Sequence, residues 1–283
     1  MNKNMLVTCF KICLFILVMI LGIGHVFSRA QSEPAQSIRD NEKISIVVIY
    51  DNYQINPDLT PGWGFSCVLK TPQNEILFDT GGNSSILLAN LRKMALSANE
   101  IDLVIISHIH GDHLGGLNGF LKKNNKVRVY IPGSFPNSVS EEIKSCGADY
   151  SKVNGSMQIC EKVYTTGEMG ISIKEQSLIL DTDQGLVIIT GCAHPGIVEI
   201  IKQSQQILPN RKIYLVMGGF HLSGASDSKL TSIIREFRNN GVQKVAPSHC
   251  SGDRCRELFK NEYQTDFIES GVGKIFNFQE PNR

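Results

Sequence analysis

The stretch 107–116, which reads Ser-His-Ile-His-Gly-Asp-His-Leu-Gly-Gly, constrains this chain more than any other feature of its sequence. It directly follows the apolar run 101–106, which is typical of a buried β-strand. Imidazole and carboxylate groups are ligands for zinc, iron and manganese. The four candidate ligands are His108, His110, Asp112 and His113. Chance clustering in a surface loop is the alternative, but four such side chains within six positions favour a metal site at a strand end.

The spacing within this stretch indicates how the side chains converge. His108 and His110 are two positions apart, so both imidazoles point the same way if the strand geometry continues. Gly111 then lets the chain turn, after which Asp112 and His113 can come back toward the same point. We therefore expect one convergent set of ligands from this single stretch.

Three further histidines each follow a predicted strand and a small residue or glycine. The strands are the runs 185–190, 212–217 and 243–246, and loops held by a rigid scaffold are where side chains can meet. These histidines are His194, His221 and His249. One such histidine alone is ordinarily a hydrogen-bonded structural residue, but three in the same setting favour a shared site.

Charge and cysteine content narrow the classes of partner. The chain has 283 residues, a formal net charge of +1 and 19% charged residues. This balance gives no electrostatic attraction for nucleic acid, so we expect no nucleic-acid partner. Nothing in the sequence specifies an oligomeric state. No Cys-x-x-Cys spacing occurs, and the pairing of Cys250 with Cys255 is left open.

Residues 1–30 differ in kind from the rest of the chain. Lys3 and Lys11 precede the uncharged apolar stretch 12–27, and Ser28-Arg29-Ala30 places small residues before a cleavage point. This arrangement is typical of a secretory signal peptide, and an uncleaved membrane anchor through residues 12–27 is the alternative. Both interpretations predict an exported protein, either periplasmic or extracellular, or one anchored to the membrane.

The pattern after the leader predicts the fold class. Residues 31–42 are polar and predict a linker, and 43–283 are expected to form one domain. Within that domain short β-branched runs come first, and strands and helices then alternate, twice over. This order fits an α+β sandwich of two packed mixed β-sheets with helices on the outer faces. Because candidate ligands occur in both halves, the site is expected at their junction. Residues 267–278 are expected to form a last strand pair.

Several strings of this sequence together resemble a known family. The stretch 107–116 fills every position of the H-x-H-x-D-H signature of the metallo-β-lactamase superfamily, and Phe-Asp-Thr-Gly at 78–81 resembles its first motif. Across residues 44–278 the chain is similar to the dihydropteroate-synthase-related group of that superfamily. The strings that carry this likeness are Trp-Gly-Phe-Ser-Cys at 63–67, Glu-Gln-Ser-Leu at 175–178, Thr-Gly-Cys-Ala-His-Pro-Gly at 190–196, Gly-Gly-Phe-His-Leu at 218–222 and Ser-His-Cys-Ser-Gly at 248–252. The resemblance implies the αββα sandwich of the superfamily.

The resemblance also implies roles for single residues. In the superfamily the signature is followed by a third-motif histidine, a bridging aspartate and a last histidine, which His249 matches. No histidine lies between His113 and His194, so His194 is the nearest replacement for the third-motif histidine. Cys192 stands where the bridging aspartate usually lies. The implied ligand sets are His108, His110 and His194 for one metal, and Asp112, His113 and His249 for a second.

Two residues are expected to lie beside the candidate ligands without binding metal themselves. The resemblance to the first motif implies that Asp79 braces the ligand loop by hydrogen bonds, as metal ligands need orientation by the groups around them. An ordinary turn residue at a strand end is the alternative. Cys192 is expected to be a small packed residue beside the ligands, as buried cysteines often are, with metal ligand or nucleophile as alternatives.

A metal-dependent hydrolase is the function that these features favour. A metal-activated water would attack a small phosphate- or carboxylate-containing substrate, with Asp112 and His221 as catalytic groups. The expected cofactor is a divalent metal, zinc in the first place, as one or two ions, and iron or manganese also suits the ligands. The group's transferase activity, which joins a dihydropterin to a ribosylaminobenzene phosphate, is one alternative. A non-catalytic exported metal-binding module is the other.

Overall fold

The computed structural model describes residues 44–278, which form two β-sheets within one compact unit. The predicted leader at 1–30 and the predicted linker at 31–42 lie outside the described residues, so both stay predictions. Among the described residues, no helix is both long enough and apolar enough to cross a bilayer.

The first sheet combines an antiparallel and a parallel part. Its strands are β1 (Ile44–Tyr50), β2 (Ser66–Lys70), β3 (Glu75–Phe78), β4 (Leu103–Ile105), β5 (Arg128–Pro132), β6 (Asp149–Val153) and β13 (Ile275–Phe278). Their spatial order is β13-β1-β2-β3-β4-β5-β6. The strands from β13 to β3 pair antiparallel, whereas β3 to β6 run parallel.

The second sheet is mixed in the same way. Its strands are β7 (Met157–Cys160), β8 (Val163–Thr165), β9 (Leu178–Thr182), β10 (Gly185–Thr190), β11 (Ile213–Gly219) and β12 (Lys244–Ser248). Their spatial order is β12-β11-β10-β9-β8-β7, with β7 to β10 antiparallel and β10 to β12 parallel.

Helices cover the outer faces of both sheets. The α-helices are α1 (Ser84–Lys93), α2 (Gly111–Leu114), α3 (Leu117–Leu121), α4 (Asn137–Ser145), α5 (Ile197–Ile207), α6 (Asp227–Asn239) and α7 (Asp253–Tyr263). Short 3₁₀ helices lie at Ala98–Glu100, His249–Ser251 and Gln264–Asp266. The buried apolar residues of α1, α3 and α4 pack against the first sheet, and those of α5, α6 and α7 against the second.

The alternation of side chains along each strand builds this sandwich. In β1, Ile46 and Val48 face the second sheet, whereas Val47 and Ile49 face the outer helices. A strand has this two-residue period because successive side chains point to opposite faces. The core between the sheets contains residues of both, so the sheets pack face to face. The predicted α+β sandwich of two mixed sheets with outer helices is confirmed.

Two segments differ from the expectation. Residues 267–278 do not form a strand pair, since β13 pairs with β1 and Phe267 makes only an isolated bridge with Val245. The chain also does not need a glycine turn after His110. Gly111 is absent from the described glycines with positive φ, and it begins α2, in which the Leu114 amide donates to the His110 carbonyl at 3.0 Å. One helical turn, rather than a reversal of the strand, therefore directs the ligands after His110.

Candidate metal centre

Four loops bring candidate ligands to one edge of the sandwich. His108 and His110 follow β4, and the next helical turn, α2, carries Asp112 and His113. The loops after β10, β11 and β12 carry the other three histidines: His194, His221 and His249. All four loops leave the carboxyl ends of parallel strands, which hold their positions.

Six of these seven side chains, all except His221, form two groups of three. Within each group, the nitrogen or oxygen atoms that could bind metal lie within 4.8 Å of one another. One group is His108, His110 and His194, and the other is Asp112, His113 and His249. Each group joins the loop after β4 to a loop of the second sheet, and each matches a ligand set implied by the family resemblance.

Asp79 lies fully buried at the end of β3 and accepts three hydrogen bonds. The donors are the Ser107 backbone N–H (2.6 Å), the Ser107 hydroxyl (2.7 Å) and His113 Nδ1 (2.7 Å). Because the Ser107 hydroxyl donates its only proton to Asp79, it accepts from His108 Nδ1 at 2.8 Å. Both histidines therefore carry their proton on Nδ1 and turn the Nε2 lone pair inward.

The inward nitrogens approach each other as metal ligands do. Asn52 Oδ1 accepts from His249 Nδ1 at 3.0 Å, so Nε2 of His249 carries a lone pair and lies 3.2 Å from Nε2 of His113. Nε2 of His108 and Nδ1 of His110 are also 3.2 Å apart. Two nitrogens on one tetrahedral zinc stand about 3.3 Å apart when the bonds are about 2.0–2.1 Å long. Both 3.2 Å spacings are therefore close to the spacing of two nitrogen ligands on one zinc ion.

His194 supplies an independent sign of the same fit. Its Nε2 atom is buried and has no hydrogen-bond partner among the described residues. A buried polar atom without a partner costs free energy, about 1–3 kcal/mol in typical cases. A cation held with His108 and His110 would supply that partner.

Protonation in the first group suits metal binding. Burial, together with the charges of His113 and His194, holds the pKa of His108 far below its usual range. Burial and then the neighbouring His221 lower the pKa of His194 to about 4. Both imidazoles are therefore neutral near pH 7, which is the state that binds metal.

The second group contains an ionised carboxylate. Burial alone would raise the pKa of Asp112, but the hydrogen bond with His249 and the charge of His113 outweigh it and keep the pKa below its usual range. For His113 the effects have the opposite signs. Burial lowers the pKa of this histidine, whereas the charge of Asp79 raises it above the ordinary value. A cation that binds here would therefore meet the negatively charged carboxylate oxygen of Asp112.

Two thiols and His221 lie beside the ligand groups. Sγ of Cys192 lies 3.2 Å from Nε2 of His113, and the Cys250 thiol points toward the Cys192 carbonyl at 3.7 Å. The hydrogen bond with Cys250, and then burial, raise the pKa of Cys192. His221 is exposed, and its ring centre is 4.3 Å from that of His194. Its hydrogen bond with Cys250 raises its pKa and outweighs the partial loss of solvent around the ring. All described cysteines, Cys255 included, are free thiols.

Glu175 is a part of the site to which the sequence assigned no role. Its buried carboxylate accepts the backbone N–H groups of Cys192 (2.9 Å), Ala193 (2.9 Å) and His194 (2.8 Å). Burial raises the pKa of Glu175, against the lowering effect of these three donors. The family-like Glu-Gln-Ser-Leu string contained this residue, but nothing local in that string indicates contact with a loop seventeen positions away.

The loop before β2 supplies two further residues that sequence reasoning missed. Asn52 orients His249 from 197 positions away, so no local pattern could have indicated the contact. The Trp63 side chain is 60% exposed, yet its ring centre lies 5.0 Å from that of His249. An exposed aromatic side chain therefore stands at the mouth of the site.

Four of the eight described non-glycine residues with positive φ lie around the same loops. Asp79, Ala193, His221 and His249 all have φ between 48° and 63°, in the left-handed region that side chains disfavour. Such conformations persist where the surrounding structure fixes them, and they cluster at functional sites. The three loops of the second sheet therefore each contain, at or next to a candidate ligand, a residue whose conformation is imposed by its neighbours.

The fold and the paired histidine-rich triads define a class of protein. Residues 59–201, half of the chain, match the metallo-beta-lactamase superfamily, and the chain belongs to that superfamily.

Individual relatives refine this placement. The chain is 28% identical to the 7,8-dihydropterin-6-methyl-4-(beta-D-ribofuranosyl)-aminobenzene-5'-phosphate synthase of Methanocaldococcus jannaschii, over 77% of this chain and 92% of that protein. A solved structure described as a metal-dependent hydrolase of the beta-lactamase superfamily is 26% identical, with a TM-score of 0.70 over 84% of this chain and 100% of the other. The metallo-beta-lactamase fold protein YhfI of Bacillus subtilis shares the fold, with a TM-score of 0.64 at 12% identity, over 83% of this chain and 100% of that protein.

Proposed function

We propose that this chain is a metal-dependent hydrolase that acts on a small phosphate- or carboxylate-containing substrate. The observation that carries the proposal is the pair of ligand groups, each with its metal-binding atoms within 4.8 Å of one another. His108, His110 and His194 would hold one divalent cation, and Asp112, His113 and His249 would hold the second. Zinc suits this set best, since imidazole and carboxylate ligands dominate catalytic zinc sites.

The chemistry follows from the ligands and their neighbours. When bound, such a pair of cations lowers the pKa of a coordinated water to about 7 and polarises a substrate oxygen. The Asp112 side chain keeps 22% exposure, so its carboxylate can accept a hydrogen bond from an entering water and orient it. Asp79 and Asn52 hold the rings of His113 and His249 in the orientation that this requires.

His221 is the proposed proton donor to the leaving group. It is exposed, and its ring centre lies 4.3 Å from that of His194, at the edge of the ligand cluster. A protonated ring nitrogen at this edge can reach a substrate that contacts the cluster, as general acid catalysis requires.

A transferase that handles a pterin is the second candidate. Its support is the similarity to the archaeal synthase, which extends over 92% of that protein. The exposed Trp63 ring beside His249 adds a specific observation, because a flat aromatic side chain can stack on a planar heterocycle. Binding of a dihydropterin to the metal-loaded protein would favour this candidate, and Trp63→Ala should weaken that binding.

Hydrolysis is tested with the full chain after expression with added zinc. The assay panel contains a phosphodiester, a lactone, a thioester and a β-lactam. We expect turnover of at least one class, its loss in His110→Ala, and its retention in Glu141→Gln, an exposed substitution on α4. Turnover that survives in His110→Ala would contradict the proposal. Bound metal without turnover on any substrate would favour the non-catalytic metal-binding module.

We further propose that the protein is exported, on the strength of the residues 1–30 described above. Cell fractionation should find the chain outside the cytoplasm. N-terminal sequencing would then distinguish a cleaved signal peptide, with a mature chain that begins at Gln31, from an uncleaved anchor through residues 12–27. Recovery of the intact chain in the cytoplasm would contradict both.

A further inference from the structure

We propose that the Cys192 thiolate is a ligand shared by the two metal ions, in the position between the two ligand groups. This inference rests on the proposed function, because it requires the two groups to hold metal. It differs from the sequence-based expectation that Cys192 only packs beside the ligands.

The position of the sulfur carries the inference. Sγ of Cys192 lies within 4.8 Å of a ligand nitrogen of His108, in the first group, and of His113, in the second. Its distance to Nε2 of His113 is 3.2 Å. A zinc–sulfur bond of about 2.3 Å and a zinc–nitrogen bond of about 2.0–2.1 Å would separate two such ligands by about 3.5 Å. The sulfur therefore lies at ligand-like spacing from His113, in the second group, and within 4.8 Å of His108, in the first.

The backbone holds this sulfur in place from both sides. The Cys192 and Ala193 N–H groups donate to the buried Glu175 carboxylate, and Ala193 adopts a φ of 63°. At position 191, a Cβ would lie 2.2 Å from the Ser107 hydroxyl and 2.9 Å from a carboxylate oxygen of Asp79. Glycine at 191 thus permits the close approach of the Cys192 loop to the residues that orient His108 and His113.

The neighbouring Cys250 thiol does not lie between the two ligand groups as Cys192 does. Cys250 groups with Cys192 and His221, and none of the described groups of candidate ligands joins Cys250 to either triad. A thiolate has lone pairs enough for two cations, and coordination to a metal removes the proton of a thiol outright. On binding, the Cys192 S–H bond breaks, its proton goes to solvent, sulfur–metal bonds form, and no atom changes oxidation state.

A sulfur ligand also predicts which metals the site prefers. Thiolates favour zinc, cobalt and iron over manganese and magnesium, which prefer oxygen ligands. A bridging aspartate at the same position would shift the preference toward those oxygen-seeking ions. Cys192→Asp therefore provides a conservative replacement that keeps a bridging group but removes the sulfur.

The experiment is cobalt(II) substitution of the full chain, with absorption in the near ultraviolet as the readout for cobalt–thiolate bonds. We expect the charge-transfer band in the wild type, in Cys250→Ser and in the control Cys146→Ser, whose half-buried thiol lies at the end of α4. Cys192→Ser should lose the band. Cys192→Asp should lack the band and still bind about two cobalt ions per chain.

Several results would overturn the inference. The band could survive in Cys192→Ser, or disappear only in Cys250→Ser, and either outcome would assign the sulfur ligand elsewhere. If the wild type binds about two equivalents of cobalt without showing the band, the two-metal centre would be supported and the thiolate ligand would be contradicted. A wild type that binds no cobalt would overturn this inference and the proposed function together. If the Cys192 variants do not fold, X-ray absorption of the zinc-loaded wild type provides the test. A sulfur atom bonded to zinc would support the inference, and its absence would overturn it.

Discussion

Asp79 shows how one buried carboxylate can orient both ligand groups. It accepts directly from His113 Nδ1, and through the Ser107 hydroxyl it fixes His108, which belongs to the other group. The family resemblance implied a bracing role for Asp79, and the hydrogen bonds have the geometry for it. When a group that orients metal ligands in this way is mutated, the metal affinity of the site commonly falls by about 10–100-fold.

Asp79→Asn is therefore expected to weaken zinc affinity by about 10–100-fold. The amide nitrogen would face a donor where the carboxylate accepted one, and the proton on Nδ1 of His113 would no longer be fixed. Competition with a chromogenic chelator measures the affinity. Asp102→Asn is the matched control, because the exposed Asp102 carboxylate accepts only the Glu75 backbone N–H in the described structure. Equal affinities in the two folded variants would refute the bracing role.

Other single residues explain where sequence reasoning stopped. The candidate ligands could be found from the sequence because each stands in a local string of recognisable type. Glu175 and Asn52 could not be found in this way. The contacts of Glu175 with residues 192–194, and of Asn52 with His249, form only when separate loops fold together. No local spacing encodes such contacts.

At the scale of elements, the segment 62–65 holds the ligand loop in place. The Phe65 N–H donates to the Asp112 carbonyl at 3.3 Å, and a Cβ on Gly64 would lie 2.1 Å from that same oxygen. Gly64 also has a φ of 137°, which side chains disfavour. In contrast, Gly111 in the ligand loop has open space around its Cβ position. The sequence suggested conformational freedom at Gly111, whereas the structure requires it at Gly64.

This contrast gives a paired prediction. Gly64→Ala should lower the free energy of unfolding by at least about 1–3 kcal/mol and weaken zinc binding, because the segment must move away from Asp112. Gly111→Ala should keep both properties close to the wild type. Denaturant unfolding and chelator competition measure the two effects. Trp63, the only tryptophan, reports on the same segment by fluorescence. A larger loss in Gly111→Ala than in Gly64→Ala would contradict this account of the loop.

At the level of the whole described domain, the candidate metal centre takes its residues from loops of both sheets. The predicted sequence of strands and helices was enough to indicate two packed sheets, since the β-branched run of β1 and the continuous apolar run of β10 are visible in the sequence. The order of the strands within each sheet could not be predicted from the sequence, because strand register and strand neighbours depend on contacts between distant segments. The end of the chain illustrates this limit, since β13 returns to pair with β1 instead of with a local partner.

Metal removal is predicted to destabilise the whole described domain. Each ligand group takes residues from loops of both sheets, so a bound ion stabilises the folded state relative to the unfolded chain. With free zinc at about 100 times its dissociation constant, the stabilisation is about 2.7 kcal/mol for one site. Thermal unfolding with and without EDTA measures it, and EDTA already saturated with zinc is the control. An unfolding temperature that does not respond to EDTA would count against a metal that links the sheets.

The metal content of the purified full chain distinguishes a two-metal centre from a cluster of histidines that binds no metal. After expression with added zinc and removal of loosely bound ions, elemental analysis should find about two zinc ions per chain in the wild type. His110→Ala and His249→Ala, one from each ligand group, should each retain about one. Fewer than about half an equivalent of zinc, iron and manganese combined in the folded wild type would contradict the account of a two-metal centre.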